Sequence, residues 1–159
     1  MPMRIGDPVP EFDGATEWLN GQLEDAVNAS KGSPLLVHFW AVSCGICKEK
    51  MPQLKELEAT FRPHGLKTVA VHMPRYEVDT NMDSVREAIN TNKISEVCAV
   101  DNKHKLKDAF KNEQGWVPVY YLFDSEGKLK TRAAGEFGVG VLKTSLERMF
   151  ADRVSEASA

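Results

Sequence analysis

Apolar residues along this chain keep two different rhythms. In one, short unbroken apolar runs stand between polar stretches. In the other, apolar residues return every third or fourth position. The clearest run is Leu35-Leu36-Val37-His38-Phe39-Trp40-Ala41, opened by Gly32-Ser33-Pro34. Its length and its near-continuous apolar character predict a strand buried on both faces. Residues 67–73, closed by Pro74, and 97–100 repeat the pattern. Residues 117–123 and Leu129–Ala134 are joined by Asp124-Ser125-Glu126-Gly127, which predicts a β-hairpin. Helical spacing predicts helices over Leu23–Ala29, Gly45–Phe61, 82–92, 103–112 and 141–150. In the longest of these, Met51, Leu54, Leu57 and Phe61 share a face, and Pro52 inside it should kink the axis. Pro8 and Pro10 hold residues 1–13 extended, and Trp18-Leu19 before Asn20-Gly21 predicts a small N-terminal hairpin. Residues 74–81 read as loop, and Gly135, Gly138 and Gly140 as a loose connection.

The order is then β-α-β-α-β-α followed by β-β-α. Alternation implies parallel strands joined by right-handed helical crossovers, and the final hairpin adds antiparallel strands. The expected product is one α/β domain over residues 1–152, a central mixed sheet with helices on both faces, and a frayed tail at 153–159. Composition narrows the function. A formal net charge of −3 leaves no basic footprint for nucleic acid. No stretch approaches the ~20 apolar residues of a membrane span. The first residues carry Asp7, Glu11 and Asp13 rather than the apolar core of a secretory leader, so a cytoplasmic protein is expected. Three cysteines are too few for a disulfide scaffold.

Two of those cysteines form Cys44-Gly45-Ile46-Cys47, directly after the first strand and at the start of the longest helix. A helix start offers free backbone N–H groups and the positive end of the helix dipole, and both favour a thiolate. Cys44 is expected on an exposed lip with Cys47 one turn inward. The competing reading is half of a zinc site. It needs a second ligand pair, and Cys98, His64, His72 and His104 do not reproduce that spacing, so no metal is expected. Cys98, in a short apolar strand, reads as core. Some group must take the proton of Cys47. His38, or a water it holds, is the first candidate and Glu49 the second, against the plainer reading of His38 as a core histidine. The run Lys48 to Lys50 reads as a solvated helix face.

The segment Phe39-Trp40-Ala41-Val42-Ser43-Cys44-Gly45-Ile46-Cys47, Pro52 five residues on, and Val117-Pro118 before a hairpin resemble the thioredoxin superfamily. The finer resemblance is to its TlpA/ResA-like branch. It rests on Gly6-Asp7-Pro8-Val9-Pro10-Glu11-Phe12, an inserted segment at 82–100, and the turn Phe123-Asp124-Ser125-Glu126-Gly127-Lys128. The resemblance implies a thioredoxin-like three-layer α/β/α sandwich with an N-terminal hairpin extension and an inserted β-α segment. It implies a monomeric thiol–disulfide oxidoreductase whose redox centre is a Cys44–Cys47 disulfide, with no other cofactor. Its partners would be protein disulfides and a thiol electron donor. Cys44 would be the attacking thiolate and Cys47 the resolving thiol. Pro118 would be a cis-proline facing the pair, with Val117 offering its backbone to the substrate. Trp40 would lie near the site, and Gly45 and Ile46 would help set the potential. The chain departs from the pattern at four places: Ser43 where many members have Trp, Ile46 where many have Pro, His38 where thioredoxins have a buried Asp, and Lys50 where the branch often has Glu. Peroxiredoxins share the fold and a similar opening. They need Thr or Ser where Ala41 stands and Pro where Leu35-Leu36 lie, so peroxidase activity is not expected.

Overall fold

The structure is a computed structural model and describes residues 1–151. The tail expected to fray, 153–159, lies outside the described residues. Strands are β1 (Glu17–Leu19), β2 (Leu35–Trp40), β3 (Lys67–His72), β4 (Cys98–Val100), β5 (Val119–Phe123) and β6 (Leu129–Ala134). Helices are α1 (Leu23–Ala29), α2 (Gly45–Phe61), α3 (Met82–Thr91), α4 (Lys105–Ala109) and α5 (Gly138–Met149). One six-stranded sheet runs β1-β4-β3-β2-β5-β6. β2, β3 and β4 are parallel, while β1, β5 and β6 pair antiparallel with their neighbours.

The sheet is buried on both faces, which explains why β2 reads as an unbroken apolar run. Leu36 and Trp40 point into a core shared with α2, α3 and α5. Leu35, Val37 and Phe39 point into a second core with Ala26 of α1, Leu106 of α4, Phe12 and Phe110. The three-layer sandwich expected from the sequence is therefore the observed one. Residues 1–13 are extended only in part: a turn closed by the Asp7 N–H to Arg4 C=O bond (3.0 Å), with Gly6 at φ 93°, interrupts them. They are tied to the β5–β6 hairpin by hydrogen bonds from Gly6 N–H to Leu129 C=O (2.8 Å) and from Val9 N–H to Gly127 C=O (2.9 Å).

Several local expectations are corrected. The N-terminal hairpin does not form. Glu17–Leu19 instead pairs with Cys98–Val100, Leu19 opposite Cys98. Asn20, at φ 60°, uses its side-chain amide to donate to Ile94 C=O (2.8 Å) and Glu96 C=O (3.1 Å), and the chain then enters α1. The Asn-Gly signal marks a real turn, but no return strand follows it. The stretch 74–81 contains a 3-10 turn, Glu77–Thr80. Helix α4 is shorter than expected because His104 (φ 57°) and Lys111 (φ 54°) break the chain at either side. Gly138 and Gly140 belong to α5 rather than to a loose connection. A Cβ at Gly138 would stand 3.0 Å from the Tyr120 ring, so glycine lets the helix start close against β5. α2 runs unbroken through Pro52.

Candidate active site

β2 ends at Trp40, and Ala41, Val42 and Ser43 carry the chain to Cys44, the N-cap of α2. Cys44 has extended backbone angles (φ −87°, ψ 102°), so the chain turns sharply into the helix there. Its Sγ accepts the Cys47 N–H at 3.0 Å. Ser, Thr, Asp or Asn fill this position in most helices because their oxygen satisfies a free N–H; here a sulfur does so. Cys44 and Cys47 are joined by a disulfide, with Cα atoms 5.3 Å apart. When the bond is reduced, the same N–H and the dipole of a 17-residue helix face the Cys44 sulfur and stabilise its anion.

The expectation of an exposed Cys44 is corrected. Cys44 keeps 2% of its accessible surface and Cys47 keeps 3%. Both sulfurs belong to the apolar cluster on the α2 side of the sheet, with half-buried Val42 and Val117 packed against it. Burial therefore does not separate the two cysteines; their places at the head of the helix do. Gly45 and Ile46 between them are exposed, and nothing lies within 4 Å of where a Gly45 Cβ would stand. The open space beside the pair is at Gly45.

Two buried side chains from β3 and the turn after it hold the cysteine loop. His72 ends β3, and its Nε2 accepts the Val42 N–H at 3.2 Å. Burial pulls His72 down to about 4, against the nearby Asp79 charge, so the ring is neutral at ordinary pH and can accept. Asp79 is fully buried. Its carboxylate accepts Ser43 N–H (2.9 Å), Ser43 Oγ–H (2.8 Å), Arg75 N–H (2.9 Å) and Tyr76 N–H (3.2 Å). Burial alone would raise its pKa, but these donors hold it below the usual carboxylate range. Sequence reasoning missed both residues. A histidine closing an apolar strand was a weak signal for His72; an aspartate in a polar loop gave none for Asp79.

His38 is 1% exposed and sits under α2. Its Nε2–H donates to Glu96 at 2.8 Å, with Glu58 at 4.0 Å. Lys55 Nζ lies 2.5 Å from Glu96 and 3.1 Å from Glu58. Burial, then the Glu96 charge, pushes Glu58 up to about 8. Glu96 is held well below its ordinary range: burial opposes this, but His38 and Lys55 outweigh it. One carboxyl is thus neutral and one ionised at neutral pH. Among the described residues this is the group whose ligand atoms converge, within 4.8 Å, as a metal site would require. The Lys55 ammonium already supplies the positive charge there. Glu58 lies three helical turns from Cys47, about 16 Å along the axis, so this carboxyl is remote from the thiols, and the Nε2 side of His38 is taken up by Glu96. Glu49 is exposed on α2.

Trp40 is buried in the cluster that holds the cysteines and meets His72 edge-to-face at 4.8 Å. Cys98 is fully buried, and burial pushes its thiol up to about 12. It is core. The Val117–Pro118 peptide is cis. Phe39 pairs with Val119, so Pro118 falls across from Trp40, at the same end of the sheet as the cysteine loop. β5 starts at Val119 because Pro118 has no N–H to give. The Val117 N–H and C=O enter none of the hydrogen bonds found among the described residues.

With this geometry in place, comparison with known proteins is informative. Residues 4–148 match the Redoxin family. Thiol-disulfide oxidoreductase YkuV of Bacillus subtilis (strain 168) is 39% identical over 151 residues, covering 94% of this chain and 99% of YkuV. Thiol-disulfide oxidoreductase ResA of Bacillus anthracis is 25% identical over 134 residues, covering 84% of this chain and 72% of ResA. The solution structure of a thioredoxin-like protein in the oxidized form superposes with a TM-score of 0.82 at 39% identity, covering 94% of this chain and 99% of that one.

Proposed function

Since the chain belongs to the Redoxin family and stands among its thiol–disulfide oxidoreductases, we propose that it reduces disulfides of protein partners through Cys44 and Cys47. The observation that carries this reading is the Cys44 sulfur at the N-cap of α2, receiving the Cys47 N–H and bonded to Cys47. In the reduced protein the Cys44 thiolate attacks one sulfur of the client disulfide. A Cys44–client disulfide forms, and the other client sulfur leaves as a thiolate that takes up a proton. Cys47 then loses its proton and attacks the Cys44 sulfur. The client's second sulfur leaves, and Cys44–Cys47 is oxidised by two electrons. A dithiol donor returns those electrons. The cycle needs no other cofactor.

Val117 is placed to pair its free main chain with the client backbone, beside Pro118. The Cys47 proton passes to His38 or a water it holds. The bond to Glu96 fixes the tautomer, with hydrogen on Nε2 and the basic lone pair on Nδ1. Glu49, on the solvent side of α2, is the second candidate. Gly45 and Ile46 carry no charge to hold the thiolate, which favours the reducing direction. A cytoplasmic setting, where thiols stay reduced, suits it.

Cys47→Ser tests the reading. The variant should accumulate mixed disulfides through Cys44, visible on non-reducing gels and absent from Cys44→Ser/Cys47→Ser. Failure to trap any partner, with catalysis intact, would contradict the roles. His38→Ala should slow the resolving step near neutral pH; an unchanged pH–rate profile would remove His38 from it.

A further inference from the structure

Beside the cysteine loop lies a groove of about 720 Å³. The turn after β3 supplies Arg75 and Tyr76, the start of α4 supplies His104 and Lys107, and the approach to Pro118 supplies Trp116 and Val117. The groove touches the redox site at two points. Arg75 Nη2 donates to Ser43 Oγ at 3.2 Å, one residue before Cys44, and Val117 is one residue before Pro118. No Asp or Glu lines it. Arg75 and Lys107 make no salt bridge with any carboxylate among the described residues. Of the nearby carboxylates, Asp79 is turned inward onto Ser43, Asp101 is buried and accepts the Leu106 and Lys107 N–H groups, and Glu113 meets the Met1 amino group; Asp108, next to Lys107 in sequence, stands outside the lining. Glu77 and Glu136 neighbour the groove in sequence but stand outside its lining. In a chain of net charge −3, a cationic and carboxylate-free groove runs against the average surface.

We propose that this groove recognises an acidic polypeptide segment flanking the client's disulfide cysteine, with Arg75 and Lys107 reading its charge. The proposal rests on the disulfide-exchange reading above and gives that reading a client chemistry. A polypeptide fits better than a small anion for two reasons. The unpaired Val117 main chain can bond an extended backbone, and the exposed rings of Tyr76 (61%) and Trp116 (49%) offer apolar platforms for residues on either side. A chain paired at Val117 carries its flanking side chains over the two cations. The Arg75 guanidinium, stacked on Tyr76 at 5.4 Å, is held in place for this contact.

The test uses the full chain, reduced, and disulfide-bridged peptides identical except for the residues flanking one cysteine: Glu, Gln or Lys. Second-order reduction rates at low salt should favour the Glu peptide over the Gln peptide by roughly tenfold, with Lys slowest. The ratio should shrink at high salt. In Arg75→Gln/Lys107→Gln the Glu:Gln ratio should fall towards one. Lys107→Gln alone should lower it in part, and this variant leaves the Arg75–Ser43 bond untouched. A ratio near one in the unaltered protein would overturn the proposal, as would an undiminished preference in Arg75→Gln/Lys107→Gln. Reduction of oxidised glutathione, a small carboxylate-bearing disulfide, as fast as the Glu peptide would overturn the polypeptide assignment. If no peptide is reduced at all, disulfide exchange itself falls, an outcome distinct from equal rates for all three.

Discussion

The chemistry of the pair depends on individual side chains that fix one short loop. Asp79 binds four donors from Ser43, Arg75 and Tyr76 while fully buried. Replacing it with Ala leaves those donors without an acceptor, at a cost of about 2–4 kcal/mol. Asp79→Ala should therefore lower the urea midpoint clearly, whereas Asp79→Asn, which keeps one acceptor oxygen, should lower it less. Equal and small losses would show that the loop is held by other means. Legibility at this scale was uneven. Cys44 and Cys47 were readable because a helix start confers reactivity on residues already close in sequence. Asp79 lies 36 residues from Ser43 and holds it through two hydrogen bonds that only the fold brings about. The same limit applies to Glu96, which meets His38 from 58 positions away. Even for Cys44, nothing in the local pattern measured how deeply the apolar cluster would bury the residue.

Among the elements, α2 and β2 are bound by a charged cluster rather than by apolar contact alone. His38 on β2, Lys55 and Glu58 on α2, and Glu96 just before β4 share one buried network. Glu58, pushed up to about 8 by burial and Glu96, stays protonated in the folded chain while the unfolded chain ionises near 4.5. A raised carboxyl pKa gives stability that is present at low pH and lost as pH rises through the window from 4.5 to 8. His72 acts oppositely: lowered to about 4, it costs stability as pH falls from 6.5. Above about pH 7.5 His72 is neutral in both states, so there only Glu58 of these two groups has a slope, and between 6.5 and about 7.5 the residual His72 slope is smaller than that of Glu58. Unfolding free energy should fall by on the order of 2 kcal/mol between pH 6.5 and 9. Glu58→Gln, which keeps the neutral shape, should flatten that fall; urea titrations across the range measure it, and an unchanged slope would contradict the assignment. Helices and strands with their own periodicity were readable in outline. α2 and β6 match their expected spans, because each is set by local pattern. The pairing of β1 with β4 was not readable, since its partners lie some eighty residues apart and the Asn-Gly turn suggested a nearer one.

Across the whole molecule, the sheet gathers the site at one end. Parallel β2 and β3 deliver the cysteine loop and its two anchors, and antiparallel β5 delivers Pro118 to the same edge. The layer order followed from alternating strands and helices, and the match of residues 4–148 to one family agrees with it. The groove beside that edge joins segments from four parts of the chain, the last of them Ala134 and Gly135, so no single stretch of sequence displayed it. What unites these features is a sulfur held at a helix head where its anion is favoured. The most direct measurement is the pH dependence of iodoacetamide alkylation of Cys44 in reduced, folded Cys47→Ser. The account predicts a midpoint well below the ordinary thiol value of about 8.5, with reaction in the native state. A midpoint at or above that value, or alkylation only after unfolding, would contradict it.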